Sequence, residues 1–197
     1  MDRDIFREYD IRGVVDTQLT DEAVYLIGQG FASFLAKKNV HRISVGRDCR
    51  LSSERFFSII SQSLIKSGVD IVDIGVVSTP VQYFSMIHLD LMGGIMITGS
   101  HNPKDYNGFK LSHQKTTIAG KDIQEVYHLI EKRDFVFGEG TITSINVIPD
   151  YHRHNIGQIR LGKRKLKVVI DAGNGMASNL APEALEKNIE IELKPPP

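Results

Sequence analysis

The chain is 197 residues long, 41% hydrophobic and 24% charged, and its 24 Lys+Arg balance 24 Asp+Glu. That length suits one domain, or one and a half, and is enough to bury a core. Zero net charge excludes a bulk electrostatic pull toward nucleic acid or membrane, and no run approaches the ~20 apolar residues of a membrane span. The charged start MDRDIFREYD has no apolar h-region, so no signal peptide is expected. The single Cys49 cannot form an internal disulfide, which fits a reducing cytoplasm.

The elements alternate along the chain. Thr20 and Asp21 precede AVYLIGQGFASFLAKK, whose apolar residues recur at helical spacing. RISVG at 42–46 reads as a buried strand. Ser52 or Ser53 caps the next helix, with Phe56, Phe57, Ile60 and Leu64 on its apolar face and Gly68 at its end. VDIVDIG is a strand, Thr79-Pro80 opens a helix, and GGIMIT at 93–98 is a third apolar strand. A polar stretch runs from Gly99 to Gly108, where Asn107-Gly108 signals a turn. FKLS then reads as a strand and about 121–133 as a helix. GEGTITSINVIPDYH is mixed, and Pro149 starts a linking helix through Ile159. The basic LGKRKLK is a solvated linker, after which KVVIDAGNGMASNLAPEALEKN opens a new βα unit followed by IEIEL. The pattern predicts an α/β fold: a mixed, mostly parallel sheet flanked by helices, plus an incomplete second α/β unit. The boundaries are 1–148 for the first domain, 149–162 for the linking helix and linker, and 163–197 for the start of the second.

Chemistry concentrates in TGSHNPKDYNGFK, residues 98–110, directly after an apolar strand. In open α/β sheets ligands bind outside the carboxyl ends of strands. Gly99 permits a sharp turn beside Ser100, His101 and Asn102 follow, and Lys110 returns on the next strand. Ser100 beside His101 suits two chemistries: a nucleophile in acyl transfer, or a carrier of phosphate. The G-x-S-x-G elbow of hydrolases is absent. IFREYDIRG puts Arg7, Tyr9 and Arg12 near the start, and VGRDCRLSS puts Arg47, Asp48 and Arg50 after another strand. For Arg47 and Arg50, an anion-binding role and a surface Arg-Asp pair beside a helix cap both remain open. Cationic segments at three strand ends favour an anionic ligand such as a sugar phosphate. The remaining histidines are scattered, and GNGMAS lacks both the G-x-G-x-x-G pattern and a P-loop lysine.

FREYDIRG, VGRDCRLSS, DIGVVSTP, TGSHNPKDYNGFK and VVIDAGNGMA, in this order, resemble the α-D-phosphohexomutase superfamily, in particular its phosphomannomutase/phosphoglucomutase branch. The resemblance implies four domains around a cleft, the present chain holding the first and part of the second. It implies an enzyme, an isomerase that moves phosphate between C6 and C1 of a hexose phosphate through a phosphoserine and a bisphosphate. Ser100 then carries the phosphate and offers a metal ligand through it. His101, Lys110, Arg12 and Tyr9 are the other catalytic positions and Asn102 binds substrate; Arg47 is added as a substrate-binding candidate on its charged strand-end position alone. The implied cofactor is Mg²⁺, with its remaining ligands in the missing part of the second domain. The implied partners are mannose or glucose 1- or 6-phosphate and a hexose 1,6-bisphosphate, with no nucleic acid or membrane. The family's acidic metal loop and its later sugar and phosphate loops are absent from these 197 residues, so the chain reads as an N-terminal fragment, inactive alone. The alternatives are a non-catalytic module that binds a phosphosugar or a protein, and a serine hydrolase.

Overall fold

The computed structural model describes residues 1–159, 168–186 and 191–193, so the 161–167 linker and the terminal prolines lie outside the described residues. The chain divides into two compact units, Met1–Ile145 and Asn146–Pro197.

The first unit contains β1 (Ile11–Val14), α1 (Asp21–Ala36), β2 (Arg42–Arg47), α2 (Ser53–Lys66) and β3 (Asp70–Val76). It continues through α3 (Thr79–His88), β4 (Gly93–Ile97), β5 (Tyr106–His113), β6 (Thr116–Thr117), α4 (Lys121–Glu131) and β7 (Ile142–Ser144). The strands form one seven-stranded sheet in the order β1-β5-β4-β2-β3-β7, with β6 paired to β5. β4, β2, β3 and β7 are parallel, and β5 alone runs against its neighbours. This is the mixed, mostly parallel α/β fold that the alternating pattern predicts.

Alternation along each strand sorts residues to two faces. Ile43, Val45, Ile71, Ile95, Ile97, Phe109 and Leu111 join Phe31, Phe34, Phe56, Ile60 and Ile130 in one core beneath α1, α2 and α4. On the opposite face α3 packs on β2 and β4, where Gln82 and Ser85 both bond the Ser44 hydroxyl. Thr20 caps α1 as its side chain accepts from the Ala23 amide. Ser52 is the N-cap of α2 but makes no capping bond; its hydroxyl accepts from Asn107 Nδ2 at 2.8 Å instead.

Asn107-Gly108 is not a turn. Both residues lie inside β5, which begins three residues before FKLS. Gly108 is required because β1 passes close: a Cβ there would stand 2.2 Å from the Ile11 carbonyl oxygen. β7, in the mixed GEGTITSINVIPDYH stretch, is exposed at all three residues and carries no apolar alternation.

The second unit contains α5 (Ile148–Gln158), β8 (Val168–Ile170), α6 (Ala177–Glu186) and β9 (Ile191–Leu193), with β8 and β9 parallel. Gly173 and Asn174 turn between β8 and α6 with positive φ. Among the described residues no helix is long and apolar enough to cross a membrane.

Two expectations concern this frame. Gly108→Ala should destabilise the protein by at least ~2 kcal/mol in urea denaturation, because the obstacle is backbone that cannot swing aside; a cost near zero would show that β1 yields. His113 lies edge-on to Phe34, and burial, then Lys38, holds its pKa below the ordinary histidine value against the pull of Asp122. Its neutral form is favoured in the fold, so its contribution is whole above the unfolded value of ~6.5 and declines as pH falls below it. Replacing His113 by Asn should flatten the loss of stability between neutral and mildly acidic pH; an unchanged slope would deny His113 that role.

Candidate active site

The Thr98–Asp105 loop joins β4 to β5 at the carboxyl end of β4. Its centre, Ser100, sits in the left-handed region at φ 55°, which costs a residue with a Cβ about 1–2 kcal/mol. Both backbone groups of Ser100 are tied down. Its N–H donates to Thr98 Oγ1 at 2.8 Å and its carbonyl accepts from Arg50 Nη2 at 3.0 Å. The side chain is exposed, with Oγ 3.2 Å from His101 Nδ1. On an extended strand neighbouring side chains point apart, but the left-handed turn brings this pair together.

Arg50 lies beneath the loop. Nη1 donates to the carbonyls of Pro103 (2.7 Å) and Tyr106 (2.8 Å), and Nη2 to those of Ser100 and Asn102 (2.6 Å). Its Nε faces Asp48 Oδ2 at 3.4 Å. Gly99 crosses directly over the guanidinium: a Cβ there would stand 2.5 Å from Arg50 Cζ. The need at Gly99 is therefore close approach, in place of a sharp turn.

Beside the loop lies a line of charges. β1 runs antiparallel to β5 with Ile11 opposite Phe109 and Arg12 opposite Gly108, so Asp10 falls opposite Lys110. Buried Asp10 pairs with Arg12 Nη2, and its Oδ2 lies 3.5 Å from Lys110 Nζ. Arg12 Nη1 donates to Asn102 Oδ1 at 3.0 Å, which fastens β1 to the serine loop. Arg12 is 9% exposed, and its Nε has no partner among the described residues. Tyr9, next in the chain, is 66% exposed. Two cations thus share one carboxylate, an arrangement that leaves positive potential for an anion.

The structure brings Ser100, His101, Asn102, Arg12 and Lys110 to one stretch of surface, with Tyr9 alongside. Arg47, expected to bind substrate, stands on β2 opposite Ile97 of β4, and its side chain is engaged with other residues. Arg47 Nε donates to Glu54 Oε2 at 2.6 Å and Nη1 to Asp73 Oδ1 at 2.7 Å, while its Cζ lies 3.9 Å from the Phe57 ring centroid. Two nitrogens and one face of that guanidinium are engaged. Asp10 was not singled out from sequence; the signal was its i, i+2 spacing from Arg12, which puts both on one face of a strand.

Residues 3–137 match the family model described as phosphoglucomutase/phosphomannomutase, alpha/beta/alpha domain I. The phosphoglucomutase of Neisseria meningitidis serogroup A is 45% identical over 181 residues, 91% of this chain and 39% of that protein. The phosphomannomutase/phosphoglucomutase of Pseudomonas aeruginosa is 41% identical over 182 residues, 92% of this chain and again 39% of that protein. A crystal structure of a phosphoglucomutase/phosphomannomutase family protein from Burkholderia thailandensis superposes with a TM-score of 0.92 at 36% identity, covering 98% of this chain and 44% of that one. The chain thus spans 39% of the length of these two curated relatives.

The left-handed serine has a measurable cost. Ser100→Gly and Ser100→Ala both remove the hydroxyl, but only glycine accepts this φ freely. The glycine variant should be more stable than the alanine variant by about 0.5–1 kcal/mol in urea denaturation, after the entropy glycine adds to the unfolded chain. Equal stability would mean that the turn is unstrained.

Proposed function

We propose that this chain, which belongs to the phosphoglucomutase/phosphomannomutase family, takes part in phosphoryl transfer between C6 and C1 of a hexose phosphate. Ser100 carries the phosphate. In the forward step the P–Oγ bond to Ser100 breaks as a bond forms to the free hydroxyl of a hexose 1- or 6-phosphate. The proton lost by the hydroxyl is balanced by one gained at Ser100 Oγ as it leaves, and a hexose 1,6-bisphosphate and free Ser100 result. The bisphosphate reorients and returns its other phosphate to Ser100. The substrates are mannose or glucose phosphates, and the protein works in the cytoplasm with neither nucleic acid nor membrane as partner.

The observation that carries this reading is the serine loop itself. An exposed hydroxyl stands on a doubly anchored, left-handed residue, beside a charge line in which Arg12 and Lys110 share Asp10. Arg12 and Lys110 offset the charge of the moving phosphoryl group, which is most of what phosphoryl transfer asks of a protein. His101 Nδ1 is within reach of Ser100 Oγ and holds a proton there or orients the loop. Asn102 and Tyr9 complete the sugar-phosphate contacts.

Mg²⁺ belongs to the same proposal. Among the described residues no group of three or more His, Cys, Asp or Glu could hold a metal. The donors among the described residues therefore do not make a magnesium site; a phosphate on Ser100 would supply one oxygen, and the carboxylates that Mg²⁺ favours are expected from an acidic loop that the sequence does not contain.

Incubation with glucose 1,6-bisphosphate, followed by peptide mass spectrometry, should place phosphate on Ser100 and leave Ser100→Ala bare. Protein purified directly from cells should show the same site. Lys110→Ala should take up label more slowly by about 10²-fold, the scale of losing one charge-stabilising group. Phosphate on another serine with Ser100 bare in both preparations would overturn the assignment. In a coupled assay the 197 residues alone should give no measurable turnover with Mg²⁺ supplied; turnover equal to that of a full-length mutase would show that the absent loops are dispensable.

A further inference from the structure

We infer that Arg50 is a positioning residue for phosphoryl transfer: its guanidinium holds the 98–106 loop in the geometry that presents Ser100. The inference rests on the proposed role of Ser100. It adds a residue outside the charge line, acting through the backbone of the loop instead of on the phosphate.

The argument begins with backbone accounting. A loop that doubles back at the end of a buried strand turns several carbonyls toward one point, and the part-buried ones, of Asn102 and Tyr106 here, need a donor from the protein. Here the carbonyls of Ser100, Asn102, Pro103 and Tyr106 all converge on Arg50, at 2.6–3.0 Å. A planar fork with five N–H groups can meet four acceptors from one point; a lysine ammonium, with three donors on a flexible stem, cannot.

The fork is itself fixed. Asp48 is 8% exposed, and its Oδ1 accepts from the Arg50 amide at 3.0 Å and from Ser53 Oγ at 2.6 Å, while its Oδ2 faces Arg50 Nε. The carboxylate thereby ties the guanidinium to the first turn of α2. Gly99 completes the fit, since any Cβ would displace the guanidinium. A serine held at positive φ persists only where its surroundings over-determine it. Arg50 at the Ser100 carbonyl and Thr98 at its amide supply that constraint.

The test compares the starting protein with Arg50→Lys, Arg50→Ala and the milder Asp48→Asn. Three quantities are read: the melting midpoint, hydrogen–deuterium exchange of the 98–106 peptide, and the rate of Ser100 labelling by glucose 1,6-bisphosphate. In Arg50→Lys the loop should exchange about tenfold faster while peptides from α1 and β4 keep their protection, as expected of local opening. Labelling should slow by about 10–100-fold, the scale of a misplaced reacting group. Methylguanidinium should recover part of the labelling in Arg50→Ala and none in Lys110→Ala. Should Arg50→Lys fail to fold, Asp48→Asn carries the test with the same pattern at smaller amplitude.

Unchanged loop exchange in a folded Arg50→Lys would overturn the inference, as would undiminished labelling through a loosened loop. Absence of label from every protein, the starting one included, would count against Ser100 as the phosphate carrier. Loop exchange would still decide whether Arg50 sets the loop's conformation.

Discussion

The carbonyl groups of a single surface loop impose the constraint on which the site depends. Between β4 and β5 the chain reverses direction next to a buried sheet edge, and four of its carbonyls face one guanidinium. Several features that look separate follow from this. Asp48 is buried because Arg50 and the start of α2 both need its carboxylate. Residue 99 has no side chain because Arg50 occupies the space. Asn107 is fully buried, and its amide bonds Ser52 and Ser53 at 2.8 and 3.1 Å, closing a second tie between the α2 turn and the loop exit. The β2–α2 turn and the serine loop therefore behave as one unit, and the exposed hydroxyl is the part left outside it.

Beside this unit, electrostatics is arranged with a surplus. Burying Arg12 without a counter-charge would be costly, so Asp10 is buried with it. The same carboxylate reaches Lys110, and one anion cannot neutralise two cations. The Arg12–Asn102 bond couples that surplus to the serine loop. The division of labour follows from residue type: Arg50 spends its donors on backbone oxygens, Arg47 on Asp73 and Glu54, and Arg12 keeps one N–H without a partner among the described residues.

Most of the fold was legible because the buried strands and amphipathic helices have distinct periods. RISVG, VDIVDIG and GGIMIT all became strands at the positions read from their apolar runs. The exposed β7 has no such run, since an edge strand in solvent needs none. Asn107-Gly108 misled because a dipeptide that favours turns also suits a strand where a side-chain amide must be buried and a neighbouring backbone must come close. Ser100, His101 and Lys110 stood out as chemistry-bearing types next to a strand end. The separate fates of Arg47 and Arg50 did not, because they are three residues apart in one charged turn. Only the position of Asp73 on β3, and of the loop carbonyls beyond β4, tells them apart.

The placement of β1 has a consequence for how the chain assembles. Within the sheet, β1 has a single neighbour, β5, and Ile11 must find Phe109. Every other pair in the path closes over fewer residues, the β3–β7 pair with Ile71 opposite Ile142 included. Long-range pairing carries a larger loop-closure entropy and is formed late on average. During synthesis, then, the first strand to leave the ribosome cannot dock until β5, its one neighbour, has emerged. Until it does, Asp10 and Arg12 are absent from the site and the groove beside β5 stands open, so this edge is where a nascent chain most needs protection from pairing with another.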